Sequence, residues 1–260
     1  MHSSPLPGLT PPSEMSSIRS EAFVLSRFPL TESSWVVCML TRQEGKVRAV
    51  AKGARRTKSP FRGALEPLNR IRAEVGMREG RELGTLVAAD LSDSALELFG
   101  SWPTAGILMA MVEVLERGLA DHAAEEDTFR LVETVLKGLR NGVAPDLAWV
   151  YFAAWFLRLH GVLGRPGRCA VCGERRATAH FDAGAGGWVC PACRRGRLDQ
   201  GMEMTASAAG TLETIFRSAL PDMAGQPADT EALKTLKSMV YLALVAYLGR
   251  PLACGDEVLR

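Results

Sequence analysis

Residues 34–53 read SWVVCMLTRQEGKVRAVAKG. Two apolar runs flank RQEG (42–45), a short polar connection that ends in glycine, and the pattern is that of a β-hairpin. In KVRAVAK the side chains sort by alternation. Lys46, Arg48 and Lys52 share one face with Val50, while Val47, Ala49 and Ala51 share the other. Three further runs, EAFVLSRF (21–28), LNRIRAEV (68–75) and ELGTLVAAD (82–90), have the same short-strand texture. Five such strands within about 70 residues predict a small barrel closed on itself, which removes its own sheet edges. An OB-fold is the first expectation and an SH3-like barrel the competing one.

Beyond Asp90 the texture turns helical. Apolar residues recur at helical spacing in AGILMAMVEVLERGL (105–119) and FRLVETVLKGL (129–139). Pro145 and Asp146 open a third helix that is apolar all round to Leu157, the expected centre of a bundle. Two more helical patterns cover 205–220 and 230–248, stopped by Gly249 and Pro251. The expected class is α+β and multidomain. A Ser- and Pro-rich tail at 1–18, with Met15 as a second candidate start, precedes a barrel at 19–90. A helical domain at 91–168 and 199–260 is interrupted by a cysteine-rich insertion at 169–198. The longest apolar runs are 11 and 12 residues, against about 20 for a spanning helix, so no membrane association is expected. Without a signal-peptide pattern the expected location is the cytoplasm, where thiols stay reduced.

The insertion holds four of the six cysteines, as CAVCGERRATAHFDAGAGGWVCPAC (169–193). Cys169, Cys172, Cys190 and Cys193 form two Cys-x-x-Cys pairs at the spacing of a four-thiolate zinc site, with Gly173 and Gly196 suited to the turn after each pair. One structural zinc is therefore expected, in a segment too short to bury a core of its own. Four sulfurs leave no open coordination position for catalysis. The deaminase pattern H-x-E with P-C-x-x-C is not matched, because the chain reads His180-Phe181-Asp182 and Val189-Cys190-Pro191. Four sulfurs suffice, so His180 reads as a surface or hairpin residue. Cys38 and Cys254 read as ordinary buried or partly buried thiols.

Charge is sorted along the chain. Lys and Arg outnumber Asp and Glu 14 to 9 in residues 1–90 and 5 to 2 in residues 169–198, while both helical blocks are acidic. Residues 42–72 carry ten cations and only two acids, Glu44 and Glu66. Lys46, Arg48, Lys52, Arg70 and Arg72 are expected on outward strand faces. Arg55, Arg56, Lys58 and Arg62 lie in the loop GARRTKSPFRG (53–63), with Phe61 as a candidate base-stacking ring. A barrel with a basic face and loop suits a nucleic-acid backbone read without strong base preference. Arg175, Arg176, Arg194, Arg195 and Arg197 around the cysteines either offset thiolate charge or form a second DNA contact. No nucleotide-binding loop, nucleophile elbow or H-E-x-x-H motif occurs, which argues against a nucleotide cofactor and against an enzyme. Two alternatives are a protein adaptor whose basic barrel face takes an acidic partner and, more distantly, a zinc-dependent hydrolase.

Glu32-Ser33-Ser34, the Thr41–Gly45 turn and Ala51-Lys52-Gly53-Ala54-Arg55 resemble the start of the bacterial RecO recombination mediators. The helical region with its paired cysteines looks like the zinc-bearing branch of that family. The likeness runs from about residue 20 to 250, is tightest in the barrel and at the cysteines, and does not include the N-terminal tail. It implies an OB-fold and a helical domain without catalytic residues. It also implies binding of single- and double-stranded DNA, annealing of complementary strands, a nucleoid-associated cytoplasmic location, and work with RecR, single-strand DNA-binding protein and, indirectly, RecA.

Overall fold

The hairpin at residues 42–45 is present, and its geometry explains its spelling. The computed structural model describes residues 15–253 except 79, 165–166, 176–179, 196–200 and 228. Strand β2 (Trp35–Thr41) pairs antiparallel with β3 (Gly45–Ala51), from Thr41↔Gly45 to Trp35↔Ala51. The Thr41 hydroxyl donates to the Gly45 carbonyl at 2.9 Å and accepts from the Glu44 N–H at 3.0 Å. Gly45 has φ +64°, and a Cβ there would overlap the carbonyl oxygen of Ala123. The turn therefore needs a hydroxyl at one end and no side chain at the other.

Strands β1 (Met15–Pro29), β4 (Arg70–Arg78) and β5 (Leu83–Asp93) complete a closed barrel in the order β1-β2-β3-β5-β4. The β3–β5 pairing is parallel and the others are antiparallel. Strand β1 serves two neighbours. Met15–Phe23 runs along β4, Ala22–Pro29 along β2, and the register slips between Val24 and Ser26, where the strand must bend. Residues 15–18, read from sequence as tail, are thus strand, and the sheet continues to Asp93; residues 1–14 lie outside the described residues. Val24, Val37, Met39, Val47, Ile71 and Val75 fill the interior, as alternation requires. Residues 52–69 form a chain of turns instead of a strand, and Phe61, Ala64 and Leu65 from these turns pack into the same interior.

The helical part comprises α1 (Trp102–Gly118), α2 (Glu126–Arg140), α3 (Pro145–Leu159), α5 (Ala206–Arg217) and α6 (Thr230–Leu248), with a short α4 (Pro191–Arg194) inside the insertion. The all-round apolar α3 is the buried centre and packs on α1, α2, α5 and α6. Caps set the later helices. Thr205 accepts from the Ala208 N–H, Asp229 accepts from the N–H groups of Glu231 and Ala232, and Gly249 at φ +74° ends α6.

The insertion adds a small sheet, β7 (Gly187–Val189), β6 (His180–Asp182) and β8 (Met202–Glu203) in that order. Phe181 and Trp188 meet edge-on at 5.4 Å and are buried in the helical core, and the Trp188 indole donates to the Gly164 carbonyl. The segment does not lack a core: it borrows one. The barrel shares that core as well. Phe23, Leu25, Cys38 and Leu40 point out of the barrel into the helices, with the Phe23 ring 4.7 Å from Phe129. Burial, and then the Glu116 charge, pushes the Cys38 thiol up to about 12, so this is an inert thiol. Cys254 lies outside the described residues.

Candidate nucleic-acid interface and metal centre

The basic block divides into two sets with different surroundings. At the hairpin end, Lys46 is 4% exposed. Its ammonium donates to the carbonyls of Glu116 and Leu119, both at 2.6 Å, and pairs with Asp121 at 3.2 Å. Those carbonyls end α1, where unpaired acceptors and the helix dipole favour a cation. Arg48 reaches the other Asp121 oxygen at 2.9 Å. Arg70 pairs with Glu133 at 2.8 Å. Arg42 joins the same Glu133 at 3.0 Å and Glu21 at 3.2 Å, its guanidinium 4.4 Å above the Phe129 ring. Lys46, Arg48 and Arg70 point outward from their strands as expected, but outward at that end means into the helical domain. Lys46 and Arg70 are ties between domains, and their reading as free phosphate ligands is corrected accordingly; Arg48 pairs with Asp121 but its side chain stays 44% exposed to solvent.

The second set is open. Lys52, Arg55, Arg56, Lys58 and Arg62 are exposed on the loop after β3, and Arg72 is exposed on β4 between Glu21 and Asp90 of the neighbouring strands. Arg55 donates to the Thr31 carbonyl at 2.7 Å and lies 5.1 Å from the Trp35 ring centre. Phe61 is 6% exposed in the barrel core, so it offers no face to a base and its reading as a stacking residue is also corrected. An apolar ring within a turn-rich loop gains more by plugging the barrel than by facing water.

Three residues outside the dense window join the open set. Arg78 and Arg81 line a groove of about 520 Å³ together with Lys52, Val50, Leu83 and Val87. Parallel pairing of β3 with β5 assembles it, with Val50 opposite Thr85. That long-range pairing leaves no local signal. Trp35 was legible: counting outward from the Thr41–Gly45 turn puts it opposite Ala51, beside the root of the basic loop.

The four sulfurs of Cys169, Cys172, Cys190 and Cys193 lie within 4.8 Å of one another, and those of Cys172 and Cys190 are 4.0 Å apart. Ligands about 2.3 Å from a tetrahedral ion stand about 3.8 Å from each other, so both spacing and donor chemistry suit a thiophilic cation. Gly173 at φ +72° turns the first knuckle, its N–H reaching the Cys169 carbonyl, and α4 starts from Cys190 in the second. Burial opposes ionisation of Cys169, yet N–H groups of Cys172, Cys190 and Val171 outweigh it and hold the thiol near about 6. Cys193 moves the other way, to about 12, through hydrogen bonding to the Cys190 sulfur, burial and the Cys169 charge. Four thiolates held this close repel one another, and a bound cation would offset that charge.

His180 is not one of the sulfur-clustered residues. It is buried on β6, where burial and then the Arg194 charge lower its pKa, and Gly201 presses so close that any Cβ there would overlap the ring. Arg175 and Arg195 are exposed, and Arg194, also exposed, lies 3.5 Å from Glu203. Arg176 and Arg197 lie outside the described residues. No helix among the described residues is long and apolar enough to cross a membrane.

The chain matches two family models end to end: the recombination protein O N-terminal domain over residues 15–95 and the C-terminal domain over residues 101–253. The seam of Lys46, Arg48 and Arg70 joins the portions covered by the two. Relatives described as DNA repair protein RecO align along nearly the whole chain. The Koribacter versatilis protein is 32% identical over 238 residues, covering 90% of this chain and 95% of its own. The Geobacter metallireducens protein is 34% identical over 241 residues, covering 92% and 95%. The Anaeromyxobacter sp. strain K protein is 31% identical over 252 residues, covering 94% and 98%. Barrel, helical domain and cysteine insertion thus align as one unit, and the chain belongs to the recombination protein O family.

Proposed function

We propose that this protein is a non-enzymatic DNA-binding mediator of recombination and repair, acting in the cytoplasm on single- and double-stranded DNA without strong sequence preference. The observation that carries the reading is the open basic loop. Lys52, Arg55, Arg56, Lys58 and Arg62 are exposed together on the loop that follows β3 of a closed five-stranded barrel, which supports an OB-fold reading. Arg78 and the β4–β5 turn residue Arg81 meet Lys52 in the groove, and Arg72 is exposed farther along β4. Annealing needs no nucleotide: neutralising two backbones while bases stay unstacked suffices. Family membership supports work alongside RecR and single-strand DNA-binding protein in helping RecA onto gaps. The four thiols would hold one structural zinc that pins the two knuckles onto the helical core, and exposure of Arg175, Arg194 and Arg195 supports a second backbone contact there.

Anisotropy of labelled single strands and duplexes across a salt series tests the reading. The unaltered protein should lose affinity linearly with log salt, and reversing Arg56, Lys58 and Arg62 to Glu together should flatten the single-strand slope by about 2. No binding at low salt would sink it. Metal analysis should find one zinc per chain, and Cys190→Ser should lower Tm and zinc content before it lowers DNA affinity. The aliphatic lining of the Lys52–Arg78–Arg81 groove favours a second reading, an acidic protein partner, which predicts a folded protein indifferent to DNA.

A further inference from the structure

Trp35 stands where the basic loop leaves the barrel. Its cross-strand partner is Ala51, so the exposed run starting at Lys52 begins one residue beyond it. The indole is half-buried, and two guanidinium groups lie over it, Arg27 at 5.4 Å and Arg55 at 5.1 Å from the ring centre. They are held differently. Arg27 is locked by a two-pronged pair with Glu66, 2.7 Å on each prong. Arg55 is exposed and donates to a neutral carbonyl, that of Thr31. A phosphate oxygen is a stronger acceptor for a guanidinium than a carbonyl, and an exposed cation–π contact is weak. A DNA backbone passing along the loop would therefore draw Arg55 away and leave Arg27 in place. Phe61, the ring that the loop itself contains, is enclosed in the barrel, whereas Trp35 is the half-buried ring over which these two cations lie.

We propose that Trp35 is a base-stacking residue: an unpaired nucleobase takes the place of Arg55 over the indole when Arg55 moves to the phosphate. This inference rests on the DNA-binding reading above and sharpens it. Bases within a duplex are already stacked on one another, so the contact belongs to single strands. Phosphate contacts bind both forms, whereas Trp35 favours one of them.

The test uses the full chain and a labelled single strand of about 30 nucleotides, against a duplex of the same length. Trp35→Leu should weaken single-strand binding about fivefold or more and leave the duplex affinity and both salt slopes unchanged, while Trp35→Phe should restore most of the loss. An equal loss on strand and duplex, or no loss, overturns the assignment. A second measurement needs no variant. Irradiating the unaltered protein on a strand carrying 5-iodouracil should attach the base to Trp35, as located by mass spectrometry of the peptide. Attachment confined to other residues overturns the assignment as well. If the unaltered protein binds neither strand nor duplex, the DNA-binding reading falls first and takes the Trp35 assignment with it.

Discussion

Lys46 and Lys52 open and close the same stretch, KVRAVAK, and alternation puts them on one face, yet they do opposite jobs. Lys46 is buried against the end of α1 and holds three oxygens. Lys52, six residues on, faces solvent beside Arg78 and Arg81. The residue type, the strand and the face are shared; what differs is the neighbour. A cation's role is set by what stands opposite it. The charge that reads as one basic block is a structural seam at one end and an open surface at the other.

Three substitutions would break or sharpen this contrast. The largest effect on stability is expected from Phe61→Ala, which empties the barrel plug and should cost about 3–5 kcal/mol in urea unfolding. Its ratio of single-strand to duplex affinity should not change; a lowered ratio would return Phe61 to the binding surface. Next comes Lys46→Met, which leaves two helix-end carbonyls without their donor and Asp121 with Arg48 as its remaining cation. With the two carbonyls left unpaired and Asp121 still held by Arg48, it should cost about 2–3 kcal/mol and lower Tm by roughly 5–10 °C. DNA affinity at fixed salt should hold, and a loss of affinity in a protein still folded would move Lys46 to the binding face. The smallest effect on stability belongs to the triple reversal of Arg56, Lys58 and Arg62, within about 1 kcal/mol of the unaltered protein, because exposed charges contribute little. That same variant should show the greatest loss of DNA binding. A large Tm change from it would mean that the loop, too, is part of a seam.

The groove and the metal centre differ in how they are encoded. The two cysteine pairs are local, each closing its own turn, so spacing alone announced the donor set, and the folded chain brings the four sulfurs together. The groove has no local signature, because Val50 and Thr85 meet only through the parallel pairing of β3 with β5. Trp35 falls between these cases. The hairpin register was countable from Thr41 and Gly45, but the choice between Trp35 and Phe61 as the reachable ring depended on which one the barrel enclosed.

By itself the sequence determined the barrel-then-helices order, the hairpin turn, the helix stop at Gly249, the thiol cluster and the sorting of charge. Each follows from backbone preference or hydrophobic period acting over a few residues. Only the tertiary structure decided which of ten clustered cations face solvent. Alternation fixes the side of a strand on which a residue lies, but not whether water, a carboxylate or the end of a helix waits on that side. For Lys46 and Arg70 the answer came from α1, α2 and Asp121, 63 or more residues away in the chain.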